Sequence, residues 1–355
     1  MVDVKFGAVI GIYSSRETVR LSKMAEGLGY DSIWIPDHLV GFFSPGSFID
    51  PWTTLAAVGE NTKSVFLSPS VTDCQRCHPA KIAHMVSTLD ELSNGRAGLG
   101  IGAGEAMNIV PYGLEWEKPS VRVGRLREAV QVVKLLWGSS RDNPVNFEGA
   151  YYQLSRAWLD HKPVRHPHPP VYIGALGNER TLEIVGELGD GWLPWISCPE
   201  SWKRRLEFVR RGTEKAKRPL KDLDLCVWMY FTMSEAAEAY ENALNQLKRT
   251  LLVDRYHLRM FGYDLPLPIE YSYQRLSATE KAQKIIIDAA KQIPDELMEK
   301  KFIPVGGADE IIETISAYVK MGATHICVRD IFLSAEEGFG QFSKKVIPYF
   351  REQSN

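Results

Sequence analysis

Short runs of β-branched and aromatic residues alternate along the chain with stretches whose apolar positions recur every three or four residues. That alternation is the mark of repeated βα units on a parallel sheet. Val4 to Gly11 reads as the first strand. Glu17 to Gly29 reads as the first helix, with Val19, Leu21, Met24, Ala25 and Leu28 on or near one face and a glycine stop. The pattern continues with strands at Ser32 to Pro36, Ser64 to Ser68 and Ala97 to Ile101, separated by helices at Pro51 to Glu60 and Ala80 to Leu92.

Further along, helices are expected at Val121 to Trp137, Glu179 to Leu188 and Glu200 to Lys217, and strands at Val171 to Gly174, Gly191 to Trp195 and Leu225 to Phe231. Glu235 to Lys301 reads as helix upon helix, so the eighth strand, Thr324 to Arg329, comes late. Eight βα units fit an α/β fold of the (β/α)8 TIM-barrel type better than a doubly wound sheet. The expectation is one barrel domain over residues 1–355, with insertions near 40–50, 140–170 and 235–300. No G-x-G-x-x-G follows the first strand, which removes the usual nicotinamide-dinucleotide fingerprint.

Composition narrows the function classes. The 42 basic and 44 acidic residues nearly balance, which argues against a nucleic-acid partner and for a small-molecule substrate. No stretch reaches the roughly 18 apolar residues of a membrane span, and Met1 to Phe6 lacks a signal-peptide profile, so a cytoplasmic location and no membrane partner are expected. Five scattered cysteines, at 74, 77, 198, 226 and 327, predict reduced thiols rather than a disulfide framework.

In a barrel of this kind chemistry sits at the C-terminal tips of the strands. After the second strand comes Pro36-Asp37-His38, where His38 offers a proton-exchanging side chain; a histidine bonded into a loop fits the same residues. After the fourth comes Gly102-Ala103-Gly104-Glu105, whose small residues would let a ring or phosphate approach beside one carboxyl group, though small residues also simply end strands. Gly174-Ala175-Leu176-Gly177 opens a helix and suits an anion, or is an ordinary βα turn. Arg180 in its first turn reads as a surface residue. Cys74-Gln75-Arg76-Cys77-His78 has the spacing of haem attachment or a redox pair, but Pro79 and Ala80 read as a helix start and favour plain thiols. Trp116, Trp192 and Trp195 are candidates either for lining a cavity or for packing the core.

Together these motifs resemble the luciferase-like superfamily, in the branch that uses the deazaflavin coenzyme F420. Thr88-Leu-Asp-Glu-Leu-Ser-Asn-Gly-Arg96, Leu99-Gly-Ile-Gly-Ala-Gly-Glu105 and Gly113-Leu-Glu-Trp-Glu-Lys-Pro119 resemble methylenetetrahydromethanopterin reductase. Gly104-Glu-Ala-Met-Asn108 is similar to F420-dependent glucose-6-phosphate and secondary alcohol dehydrogenases; Asp50-Pro-Trp-Thr53 and Val71-Thr-Asp73 are similar to phthiodiolone ketoreductases. The resemblance covers about residues 4 to 200 and resumes from Gly306 to Arg329.

It implies hydride transfer between the deazaflavin C5 and a carbonyl, alcohol or methylene-pterin type substrate, with His38 as acid or base near the reacting carbon, Glu105 as proton donor or acceptor near the ring, and coenzyme F420, or alternatively FMN with dioxygen, as cofactor. It also implies a homodimer. Asp37 would contact the deazaflavin; Ser70, Val71 and Thr72 would form a bulge behind the ring, with a cis peptide between Ser70 and Val71. Ala103, Gly104, Asn108 and Gly174, Ala175, Leu176 and Gly177 would hold ring and phosphate. No metal is implied. One departure is Phe42, where the sugar-phosphate and alcohol dehydrogenases have tryptophan; basic residues for a sugar phosphate have no aligned counterpart, so glucose 6-phosphate is not the expected substrate.

Overall fold

Eight parallel staves close on one another in a computed structural model that describes residues 3–41, 47–234, 236–263, 267–272, 275, 279–301 and 307–352. The first half runs β1 (Lys5–Val9), α1 (Ser15–Gly27), β2 (Ser32–Ile35), α2 (Pro51–Asn61), β3 (Phe66–Pro69), β4 (Thr72–Asp73), α3 (Pro79–Leu92), β5 (Leu99–Gly102) and α4 (Pro119–Trp137). A hairpin of β6 (Val145–Glu148) and β7 (Gln153–Ala157) follows, then β8 (Val171–Gly174), α5 (Glu179–Leu188), β9 (Gly191–Leu193), α6 (Pro199–Lys215) and β10 (Asp224–Phe231). Next, among the described residues, come the helices α7 (Ala237–Asp254), α8 (Tyr256–Met260), α9 (Glu280–Ala290) and α10 (Asp295–Lys301). The chain ends with α11 (Ala308–Lys320), β11 (His325–Asp330), α12 (Ala335–Lys345) and α13 (Ile347–Glu352).

The sheet order is β3-β2-β1-β11-β10-β9-β8-β5-β4. β3 and β4 are two halves of one stave, separated by a cis peptide at Ser70-Val71. Closure comes from Leu67, whose N–H donates to the Arg96 carbonyl at 2.9 Å and whose carbonyl accepts from Gly98 N at 2.9 Å. The expected barrel is therefore present. The insertion near 140–170 holds the hairpin, which the sequence reading left without strands. The helical stretch from 235 onward is as expected over its described residues, whereas Phe42 lies outside them.

Local chemistry explains the helix starts. Asp50 accepts from Thr53 N ahead of Pro51, and the imidazole of His78 accepts from Ala80 N at 3.2 Å ahead of Pro79. Ser334 and Glu337 form a reciprocal capping box on α12. The Ser93-to-Arg96 part of the motif run is structural: Asn94 and Gly95 take positive φ, and the Arg96 guanidinium reaches the carbonyls of Gly59, Thr62, Val65 and Ser93.

Inside the barrel, large and small residues are matched across staves. Trp34, Phe66 and Tyr172 pack edge to face or tilted, with centroids 5.1 to 5.6 Å apart. They fit because a Cβ on Gly98 would strike the Phe66 ring and one on Gly191 the Tyr172 ring. Beneath them Asp224 and the fully buried His325 pair at 3.1 Å, and His325 Nε2 lies 2.8 Å from Ser32 Oγ. Burial alone would lower the imidazole's pKa, but the Asp224 carboxylate outweighs it and raises His325 to about 10. Burial likewise opposes ionisation of Asp224, yet His325, Lys5 and Thr324 hold its carboxyl far below the usual range.

Two outcomes are expected from this interior. Asp224 stabilises the fold above the ordinary carboxylate pKa and loses that contribution as pH falls; His325 contributes fully below its ordinary 6.5 and loses its contribution as pH rises through about 10. Thermal unfolding should thus show the pair's full benefit near pH 4–6.5, and Asp224→Asn should cost roughly 3–5 kcal/mol there while flattening the alkaline decline. Gly98→Ala should overpack the interior and cost about 1–3 kcal/mol in denaturant titration. A neutral Gly98→Ala result would mean the aromatic cluster is not close-packed.

Candidate functional site

The strand tips, together with α7 and α8, surround a cavity of about 840 Å3. Its lining includes every residue that the resemblance assigns to catalysis or coenzyme binding: Asp37, His38, Ser70, Val71, Thr72, Ala103, Gly104, Glu105, Asn108, Gly174, Ala175, Leu176 and Gly177. Gln246, Thr250 and Val253 of α7 and Tyr256 of α8 complete one side, so the late helical insertion roofs the barrel mouth.

His38, Asn108 and Glu105 form one constellation. The Asn108 side chain is buried, and its Oδ1 accepts from Leu39 N at 2.8 Å and Val40 N at 3.4 Å. Two backbone donors on that atom fix the amide's orientation. Its Nδ2 therefore donates to His38 Nδ1 at 2.9 Å and to Glu105 Oε2 at 3.3 Å. In the neutral ring Nδ1 is an acceptor, so the proton sits on Nε2, which has no hydrogen-bond partner among the described residues. Glu105 Oε2 lies 3.4 Å from His38 Nδ1 and stands ready for the protonated ring. Gly104, at φ 84°, makes the turn that carries Glu105 and Asn108 back toward β2.

Asp37 is held by Arg76, whose Nη2 lies 3.1 Å from Asp37 Oδ1 and donates to the Asp37 carbonyl at 3.1 Å. The same guanidinium binds Asp73 through Nε, and Asp73 Oδ1 accepts from the backbone N–H groups of Gln75 and Arg76. Burial opposes the charge on Arg76, but the Asp73 and Asp37 carboxylates outweigh it and raise its pKa. The flanking thiols play no comparable part. Cys74 is buried and pushed up to about 12 by burial and by Asp73; burial also raises Cys77. Thiols so poorly ionised at neutral pH are weak nucleophiles. Cys226, His325 and Cys327 have ligand atoms within 4.8 Å of one another, but both nitrogens of His325 already face Asp224 and Ser32.

Val71 forms a wall. Its methyl groups sit where a Cβ on Gly102 or Gly174 would come to 2.8 or 2.9 Å, so only glycine at both tips admits it. Ser70 Oγ beside it is buried without a hydrogen-bond partner among the described residues. Asn178 caps α5 by accepting from Thr181 N at 3.1 Å, and Arg180 is exposed. Trp116 and Trp195 line the cavity, and the Arg122 guanidinium lies 3.7 Å over the Trp116 ring. Trp192 does not. It is fully buried behind β9, stacked on Trp202 at 5.4 Å, because the indole is on the helix-facing side of its strand.

Sequence reasoning passed over Arg76, hidden in a cysteine motif, and Arg329, at the tip of β11. The rule that chemistry follows strand tips applied equally to the last strand and would have found the second. Arg329 lines the cavity, half-buried, and no carboxylate meets it among the described residues.

Comparison with known proteins fits this geometry. The profile described as luciferase-like monooxygenase matches residues 7–325. Among curated proteins, the chain is 30% identical over 361 residues to an F420-dependent glucose-6-phosphate dehydrogenase of Amycolatopsis mediterranei (strain U-32), covering 99% of each. It is 30% identical over 357 residues to a phthiodiolone/phenolphthiodiolone dimycocerosates ketoreductase of Mycobacterium bovis (strain BCG / Pasteur 1173P2), covering 92% of each. Among solved structures, an F420-dependent secondary alcohol dehydrogenase in complex with an F420-acetone adduct superposes with a TM-score of 0.84 at 24% identity, covering 98% of this chain and 99% of that one. A barrel closed in this order, matched along nearly its whole length, belongs to the luciferase-like family.

Proposed function

We propose that the chain is an F420-dependent oxidoreductase that moves a hydride between the deazaflavin and a carbonyl or alcohol carbon of a small molecule. The observation that carries this reading is the joining of His38 and Glu105 through Asn108 in a cavity that also holds the Val71 wall. Full-length similarity to F420-dependent relatives supports it.

The residues present fit a flat ring with a phosphate tail. Val71 offers an apolar face, the buried and unpartnered Ser70 hydroxyl suits a polar ring edge, and the first amides of α5 with Gly174 to Gly177 suit a phosphodiester. When bound, F420 supplies a hydride donor or acceptor at C5 of its deazaflavin ring.

The protein's own part is orientation and proton transfer. His38 Nε2–H donates a hydrogen bond to the substrate oxygen. As a carbonyl carbon gains a hydride, its oxygen takes one proton from the protonated imidazole; the reverse reaction returns both. On protonation His38 Nδ1 exchanges the bond it accepts from Asn108 for one donated to Glu105 Oε2, 3.4 Å away, which stabilises the imidazolium, while Asn108 Nδ2 still holds that carboxylate. Arg76 holds Asp37 at the tip of β2, so the loop that carries His38 is tied to the stave of the Val71 wall.

The purified protein should bind F420 saturably in a fluorescence titration. Copurified FMN with no affinity for F420 would overturn the reading. His38→Ala should slow turnover by about 10²–10⁴-fold, the usual share of a general acid, while leaving F420 binding in place. Wild-type turnover in that variant would remove His38 from the chemistry.

A further inference from the structure

Strand alternation places the side chain of Arg329 inside the barrel. On β11 Ile326 and Val328 pack outward with the helices, while Cys327 joins the interior cluster, so Arg329 shares its face. Tyr230 is its partner in register on β10 and also lines the cavity. Arg329 Nη1 lies 4.0 Å from the point a Cβ on Gly11 would occupy, and Pro36 flanks the same point at 2.9 Å. Pro36 stands two residues before His38. The guanidinium therefore sits beside the tip that carries the proton-transfer residue. It is three staves from β8 and the α5 N-terminus, where a coenzyme phosphate fits.

The charges around it are accounted for. Arg76 is paired with Asp37 and Asp73, and Arg122 is spent on the Glu117 carbonyl and the Trp116 ring. Lys118 and Arg275 also reach the cavity but are exposed to water. The nearest acid in sequence, Asp330, turns away and accepts from Phe332 N at 2.9 Å and Leu333 N at 2.8 Å. No carboxylate among the described residues meets this half-buried guanidinium, whose burial without an anion is costly and whose planar fork matches a carboxylate or phosphate.

We propose that Arg329, with the Tyr230 hydroxyl beside it, binds an anionic group of the second substrate, so the substrate joins a carbonyl or alcohol carbon to a carboxylate or phosphate. This rests on the oxidoreductase reading above and deepens it. The anion at Arg329 places the substrate's reacting carbon beside His38.

Calorimetric titration with acetate and with inorganic phosphate, on both the coenzyme-free and the F420-loaded protein, tests the assignment. At least one of the two anions should bind saturably, and the tighter one identifies the group. Arg329→Gln should weaken that binding at least ten-fold with unchanged thermal unfolding and F420 affinity, and Arg329→Lys should restore part of it. Absence of binding by both anions, or equal binding to Arg329→Gln, overturns the proposal. A ten-fold loss of F420 affinity in Arg329→Gln also overturns it, by giving the arginine to the coenzyme's own anions. Failure of the wild-type protein to bind F420 sinks the oxidoreductase reading instead, while the coenzyme-free titration still reports on Arg329.

Discussion

A single buried amide, that of Asn108, ties the loops after β2 and β5 together. Its oxygen is claimed by two backbone donors from the loop after β2, so the amide cannot flip without setting NH2 against N–H. The nitrogen is left to hold His38 from one loop and Glu105 from the other. Losing such a buried bond leaves donors unsatisfied at about 1–3 kcal/mol each, more than a surface contact contributes. The tautomer of His38, the place of Glu105 and the entry of the loop after β5 all follow from that orientation.

Gly98, just before β5, and Gly102 at its end serve the floor and the wall together. Gly98 leaves room for the Phe66 ring low in the barrel, and Gly102 leaves room for Val71 at the mouth. Aromatic rings thus fill the lower interior, and the space above them stays open. A single stave of small residues divides the barrel into a packed base and a cavity. The buried Asp224–His325 pair belongs to the base, away from the tips, and acts on stability rather than chemistry.

The sequence was most legible where period and position coincide. Strand and helix periods located the eight staves because each buries a continuous apolar face against the other layer. The β6–β7 hairpin escaped because in β6 Val145 and Phe147 alternate with polar residues over only four positions, too short a run to stand out. Glu105 and His38 were nominated from their place at strand tips and Asn108 from the resemblance, and all three line the one cavity. Trp192 was ambiguous because nothing in its neighbours says which face of β9 an indole takes. Arg76 was masked by a stronger local signal, since Cys-x-x-Cys-His draws attention to thiols that burial has made inert.

Charge is the property least visible in one dimension. The chain is nearly neutral, with 42 basic and 44 acidic residues, and this balance says nothing of any one cavity. Pairing across the barrel mouth joins residues far apart in the chain, Asp37 with Arg76 and His38 with Glu105. The pairing of Asp37 with Arg76 removes a charge from what a substrate meets. What remains at the tip of β11 is a cation whose own neighbour in sequence, Asp330, is engaged elsewhere. The field inside the pocket is therefore set by which pairs the fold completes and which it leaves open, not by composition.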